Sequence, residues 1–528
     1  MEESDALPGL DDNLLIERLE LVDSGDHMAP VSSRLMLTGR LETARERDQA
    51  KKIGKAIAQA DGPRLVQLLN EFREGPPRAL ARVLESINDM MQDGGMDCKE
   101  SVIHRDRLFL AGVVDQCVAT LRKFAGDADV AAFAARTIGC IAYAPKPVPI
   151  SMRNGQRPTT SAEREAAKDA GIDLHDPVEK STQGQRRDRL LEVGAVTMLY
   201  DLLRTHTDDV EVQENGLWAV GNVVKHLETL PQHKFPISFA GSRRPSAQSS
   251  GTKEAKPSGA SSLVDLGIVP VLLRSIDVHR EHRGVQIAGF RAAAFLVDPL
   301  VPGSDYRAEV LVECGVNEAL CIALDVQAQD AEIVRWCLFV AGNLARESNF
   351  RCEALMDLGL GPLLIAAMVA YEHNSTVQEV ALSTLANLCA NSEARKKTLA
   401  DLGCCEPITV AMECHNSHAI IQERALAAAG NLILGGRKRC RFLIFNRIIE
   451  LTVAAMTRPT NFSNRGVQYR GSLVFYLIAA YGGPYGAPKL LENGQPEVVM
   501  RKAIENFSKD RYGVVKWATA ALREMGVV

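Results

Sequence analysis

A five-residue pattern, Leu-x-acid-x-Gly, recurs along this chain and limits its fold more than any other feature. It stands at Leu190, Glu192, Gly194; Leu263, Asp265, Gly267; Leu311, Glu313, Gly315; Leu355, Asp357, Gly359; Leu399, Asp401, Gly403; and Leu490, Glu492, Gly494. A seventh copy, Leu108 to Gly112, carries Leu110 at the acid position. Glycine enters the left-handed backbone region without steric cost, so each copy reads as the end of one short helix and a sharp turn into the next. The Leu falls one helical turn before the Gly, on the face that meets a neighbour.

After each Gly comes an apolar segment such as Pro362-Leu363-Leu364-Ile365, then a polar loop, then a second helical run closing near Asn-Leu. Asn343, Asn387 and Asn431 close three successive runs, and 387 − 343 and 431 − 387 both give 44. A period of about 40–47 residues is that of stacked repeats of two or three helices. The broad apolar face of Val380, Ala381, Leu382, Thr384, Leu385 and Leu388 cannot be buried by one repeat alone, so the copies must stack into a rod with a continuous core. These Gly turns, with Val212-Gln213-Glu214, Val377-Gln378-Glu379 and Ile421-Gln422-Glu423 opening third helices, resemble the armadillo family over about residues 105 to 528. The resemblance implies an all-α fold, a right-handed superhelical solenoid of armadillo-type three-helix repeats with a concave groove lined by the third helices. At Phe442 to Asn446, Asn446 is expected to take the place of the turn Gly.

The array has interruptions. Residues 1–50 read as a flexible N-terminal segment, though Leu14 to Leu21 suits a short helix. Residues 51–144 hold a degenerate repeat, with Gly62-Pro63 before Leu65, Val66, Leu68 and Leu69, and the first regular one. A loop insertion is expected at 145–189, a repeat at 190–230, a Ser/Gly/Pro-rich basic loop insertion at 231–262, and further repeats over 263–528. Within the second insertion, Arg243-Arg244-Pro245-Ser246 has the paired arginines that basophilic kinases read, which makes Ser246 a candidate phosphosite.

Composition narrows the function. At 528 residues the chain exceeds one compact core; 46% apolar and 24% charged residues fit a folded chain, and 5% aromatics suit helix packing by Leu, Ala, Val and Ile. A net charge of −5 gives no global field for nucleic acid or anionic membranes, so any charged site must be local. The longest apolar stretch, around Leu473 to Tyr481, is far short of the ~20 residues of a transmembrane helix. The start, Met-Glu-Glu-Ser, lacks the features of a signal peptide, Glu2 stands where myristoylation needs glycine, and no prenylation Cys is present, so the cytoplasm is expected, with the nucleus as a second compartment. Twelve scattered cysteines without a CxxC pair, such as Cys314, Cys321, Cys337 and Cys389, read as small buried hydrophobes.

Candidate contacts lie on the third helices. Asn222, Asn343, Asn387 and Asn431 share one slot, and a carboxamide both donates to and accepts from a peptide backbone, so a ladder of them can hold an extended chain. The bland alternative is that each Asn bonds a neighbouring loop. Trp218 precedes Asn222 by four residues, an arrangement partially resembling importin-alpha-type adaptors, in which Trp flanks a bound Lys or Arg; the equivalent positions here are Phe339, Ser383 and Ala427. Eight residues before each Asn stand Glu214, Arg335, Glu379 and Glu423, three acids that offer an anionic stripe or simply favour helix N-termini. No arrangement of nucleophile and base is found, Gly359-Leu360-Gly361 is the repeat turn, and His279 with His282 lacks a third ligand, so no enzyme activity, metal or cofactor is expected. The expected partners are other proteins presented as extended peptide segments, with no direct nucleic acid and no small-molecule ligand. Three readings follow: a scaffold or adaptor with a peptide or partner helix in its groove, a nuclear import receptor for basic cargo signals, and a chaperone-like or exchange-factor clamp on a folded ATPase or GTPase.

Overall fold

The computed structural model describes residue 55 and residues 61–143, 185–226 and 263–528, less positions 94, 97, 187, 188, 191, 300, 302, 493 and 494. Among these residues there is no strand. Repeat 1 contributes α1 (Gly62–Glu71) and α2 (Pro77–Gln92), and repeat 2 is α3 (Lys99–Leu110), α4 (Val113–Phe124) and α5 (Ala128–Ala142). Repeat 3 supplies α6 (Ala195–Thr205) and α7 (Val210–His226), repeat 4 α8 (Ile268–Val278) and α9 (Arg283–Leu296). Repeat 5 is α10 (Ser304–Glu313), α11 (Val316–Val326) and α12 (Ala331–Ala345); repeat 6 is α13 (Asn349–Asp357), α14 (Leu360–Ala370) and α15 (Ser375–Leu388). Repeat 7 is α16 (Glu393–Asp401), α17 (Cys405–Cys414) and α18 (Ala419–Ile433). Repeat 8 has α19 (Arg437–Phe445), α20 (Ile448–Thr457), the short α21 (Pro459–Phe462) and α22 (Arg465–Tyr481); repeat 9 ends the series with α23 (Gly486–Glu492), α24 (Gln495–Asn506) and α25 (Val514–Glu524).

Two rows of helices run the length of this array. The third helices α2, α5, α7, α9, α12, α15, α18, α22 and α25 each pack on the next without a break. The second helices α1, α4, α6, α8, α11, α14, α17, α20 and α24 form a parallel row beneath them. Between the rows lies one core of Leu, Ala, Val and Ile; Leu311, Leu355 and Leu399 of the turn motif are fully buried in it, each worth about 1.5–3 kcal/mol against exposure.

The turns behave as the motif requires. Gly112, Gly194, Gly267, Gly315, Gly359 and Gly403 have φ between 75° and 94°, and Gly494 lies outside the described residues. Repeat 8 departs from the expectation: Asn446 has φ −83°, and the left-handed residue is Arg447 with φ 63°. The register explains it, because Leu443, Phe445 and Arg447 stand 44 residues after Leu399, Asp401 and Gly403 (447 − 403 = 44), so Arg447 takes the glycine slot. Most third helices start on a side-chain cap, among them Asp127, His282, Asp330, Asn374, His418 and Asn464, whose oxygen or ring nitrogen accepts a first-turn N–H; α2 and α25 start on Pro76 and Gly513 without one.

The segment 1–50 and most of both insertions lie outside the described residues, as does Ser246. Gln185, Arg186 and Arg189 are already helical, so the first helix of repeat 3 starts before residue 190. All twelve cysteines are free; most are buried, but Cys314, expected from sequence to be a buried hydrophobe, is exposed because it lies past the end of α10 in the turn. Burial pushes the Cys117 thiol up to about 12. Among the described residues no single helix is long and apolar enough to cross a membrane; α13 and α14 are so only together, and they bend by 78° at their junction.

Candidate functional site

The row of third helices carries three slots per repeat, one turn apart, which are half-buried in repeats 5 to 7. Repeats 3, 5, 6 and 7 place Glu214, Arg335, Glu379 and Glu423 in the first, Trp218, Phe339, Ser383 and Ala427 in the second, and Asn222, Asn343, Asn387 and Asn431 in the third. Repeat 4 breaks the series with Ile287, Arg291 and Phe295, which the sequence reading did not place.

Every Asn of the ladder has a structural task. The last carbonyls of a helix lack intrahelical partners. Asn387 Nδ2 donates to Gly342 O at 2.9 Å, Asn431 Nδ2 to Ala386 O at 2.8 Å, Asn343 Nδ2 to Ala294 O at 3.4 Å and Asn222 Nδ2 to Gly139 O at 3.1 Å. Each acceptor sits in the last turn of the preceding third helix, so the Asn ladder caps one repeat from the next. In Asn222 the other amide atom is engaged as well, with Oδ1 accepting from Arg291 at 2.6 Å. Asn343, Asn387 and Asn431 remain half-exposed, each with one donated N–H.

A second set of caps escaped the sequence reading. Buried Arg351 and Arg395 and the partly buried Arg439 stand 44 residues apart and send Nε to Leu344 O, Leu388 O and Leu432 O at 2.7, 2.9 and 2.7 Å. Arg307 does the same toward Leu296 O at 2.5 Å. Their signal was present, since each precedes the Leu of the turn motif by four residues, but a cationic residue beside a motif is usually a solvated one. A guanidinium against the negative end of a helix gains from the macrodipole as well as from the bond. The Gln of the Val-Gln-Glu motif also has a place: Gln378 Nε2 donates to Met368 O and Tyr371 O at the end of the second helix of its own repeat, and Gln213, Gln286 and Gln422 repeat the pattern.

The acid slot is largely committed too. Glu379 pairs with Arg424 at 3.2 Å, Glu214 and Glu423 lie over Gly284 and Gly466 in the first turn of the next third helix, and Arg335 lies 3.6 Å from Glu332 and over the ring of Trp336. Burial pushes the Glu214 carboxyl above the usual carboxylate range, opposed by Arg136 and Arg283 and reinforced by Glu211. His282 Nδ1, 3.7 Å from Glu214, accepts the Val285 N–H, and burial lowers its pKa, so this contact is no ion pair. His279 bonds Thr207 O, and no group of three or more metal-capable side chains occurs among the described residues.

In the aromatic slot, Trp218 stacks on Tyr143 at 6.5 Å between centroids and packs against Gly139 so closely that a Cβ there would come within 2.5 Å of its ring. Phe339 meets the edge of Trp336 at 5.9 Å, and Trp336 that of Phe295 at 5.7 Å. The aromatic rings therefore serve packing between repeats, and they do not form a series along the row.

No model of a protein family matches the sequence, and no curated protein matches it. Among solved structures an engineered protein is similar over 89% of this chain and 99% of its own, at 20% identity and a TM-score of 0.57. A designed armadillo repeat protein aligns with 49% of this chain and 99% of its own at 20% identity and TM-score 0.41, and another, in complex with a (KR)4 peptide, with 49% and 99% at 18% and 0.41. What decides the architecture is three helices every 44 residues, broken by a left-handed turn between first and second and stacked third helix on third helix. The fold is an armadillo-type solenoid. In this armadillo array a half-buried strip runs along the third helices of repeats 5 to 7, from Phe339 through Ser383 to Ala427 with the Asn slot beside it.

Proposed function

We propose that this protein is a binding scaffold that holds an extended segment of another protein along its third helices, with repeats 5 to 7 as the centre of the site. The observation that carries the reading is the unbroken row of third helices with Asn343, Asn387 and Asn431 in one half-exposed slot, every 44 residues. A capping Asn spends one N–H on the neighbouring helix and keeps a second N–H and its oxygen to present to a peptide backbone. A repeat of fixed geometry suits a ligand that is itself regular, an extended main chain. Trp218, packed on Tyr143 and alone of its kind in its slot, gives a basic import signal no series of aromatic walls, so the general scaffold is favoured over an import receptor. The cytoplasm and nucleus remain the compartments proposed for such an adaptor.

The test replaces small residues on the floor of the strip. Ser383→Arg with Ala427→Arg fills it without touching any capping bond. Peptides selected from a random display library on the full-length protein should lose binding to this variant while its thermal unfolding stays unchanged. Equal binding by both proteins would refute the location.

A further inference from the structure

The first helices belong to neither of the two packed rows, and that of repeat 8 differs chemically from that of repeat 7. Residues 435–447 contain five Arg or Lys and no acid, in a chain of net charge −5. In α19 the solvent-facing positions are Arg437, Lys438, Arg441, Phe442 and Phe445, which at 100° per residue fall within about 140° of one another. Cys440 and Leu443 point inward. Phe445 is 83% exposed and Phe442 49%, unusual for two aromatics one turn apart on one helix. Arg441 extends the surface by lying 4.2 Å over the half-exposed ring of Tyr485.

The fold does not require this chemistry. The same five positions in repeat 7, 44 residues earlier, are Glu393, Ala394, Lys397, Thr398 and Asp401, exposed in the same way. Their formal charge is −1 + 1 − 1 = −1, against +3 in repeat 8. Two acids beside α19 pair with cations outside this face, Glu393 with Arg439 at 2.7 Å and Glu413 with Arg447 at 3.0 Å.

We propose that this face of α19 docks the protein on a membrane surface rich in anionic lipids. Arginine and lysine interleaved with aromatic rings on one side of a short helix match a bilayer interface, where the cations meet headgroup phosphates and the rings enter the acyl boundary. The exposed positions form a convex ridge on one helix. Single-stranded nucleic acid, the competing anionic partner, is held in a groove that follows its backbone over several nucleotides. The docking face is separate from the third-helix strip, so a scaffold could hold its ligand while lying on the membrane.

Flotation of the full-length protein with phosphatidylcholine vesicles, with and without about 30% phosphatidylserine, tests the idea. Binding is expected only to the anionic vesicles and should fall with added salt. Grafting the face of repeat 7 onto repeat 8, by Arg437→Glu, Lys438→Ala, Arg441→Lys, Phe442→Thr and Phe445→Asp, should weaken binding at least about a hundredfold while circular dichroism stays unchanged. If the graft does not fold, Arg437→Ala with Lys438→Ala, both at exposed positions, should still lower binding by about tenfold or more. Absence of wild-type binding, or equal binding by both variants, overturns the proposal. Binding of an oligouridine probe that the same substitutions abolish, without vesicle binding, overturns it in favour of nucleic acid.

Discussion

Replacing Asn387 by alanine removes the bond from its Nδ2 to Gly342 O and leaves a carbonyl in the last turn of α12 without a partner. The unpaired group costs about 1–3 kcal/mol, and alanine returns about 0.6 kcal/mol as the better helix former, so the net loss is about 1 kcal/mol. The triple change at Asn343, Asn387 and Asn431 is then expected to cost about 3 kcal/mol, since the three acceptors, Ala294, Gly342 and Ala386, are distinct. Asn387→Asp should be worse than Asn387→Ala, because it sets a carboxylate against the negative end of α12. A long repeat array does not unfold in one step, so the readout is hydrogen exchange in α12, α15 and α18 beside the urea midpoint. If the triple variant exchanges and melts as the wild type does, or if Asp and Ala cost the same, the Asn residues do not cap their neighbours. Their recurrence would then need a ligand to explain it.

Arg447→Gly should stabilise repeat 8 by about 1 kcal/mol in a urea melt, because a left-handed arginine costs about 1–2 kcal/mol and its exposed ion pair with Glu413 returns little. Gly139→Ala should lower the melting temperature, at a cost of about 1–3 kcal/mol, since its methyl would enter the ring of Trp218; an unchanged melt would remove the claimed close approach. Glu214 titrates above its unfolded value of 4.5, so its favourable contribution is complete below pH 4.5 and is lost as the pH rises through the raised folded value. Glu214→Gln should therefore gain on the wild type as the pH rises from 4.5 toward neutrality, and a gap that does not change with pH would contradict the burial.

The architecture was legible because a solenoid writes its period into the chain. The left-handed turn admits few residues, so glycine marks it repeatedly; in repeat 8, where glycine is missing, local tolerance points to Asn446 but the 44-residue register places the turn at Arg447. The site was less legible because the same residue can cap and bind. Asn inside a helix has poor propensity, so its recurrence there points to a task, yet the carbonyl it serves lies in another repeat and no local pattern reveals it. Arg351, Arg395 and Arg439 were hidden for the opposite reason. Arginine beside other charged residues reads as surface, and only the packing shows these guanidinium groups turned in against a helix end.

The caps give the array a direction. The third helix of repeat 6 ends on Ala386 O and Leu388 O, and both are satisfied from repeat 7, by Asn431 and Arg395. The same holds for repeat 5, with Asn387 and Arg351, so each repeat from 5 to 6 is completed by its successor rather than by its predecessor. Residues 144–184 and 227–262, which hold most of the first insertion and all of the second, both join a third helix to the repeat that follows, the very junction these caps cross. At such a junction the chain between the helix end and its cap can lengthen at small entropic cost, because loop closure grows only with the logarithm of length. Packing of α5 on α7 and of α7 on α9 then aligns the two sides. Asn222 still reaches Gly139 across the first insertion, a separation of 83 residues in sequence where 45 suffices between repeats 6 and 7. A cap carried on the third helix therefore tolerates insertions before the first helix, which is why the Asn ladder can span a discontinuity in the chain.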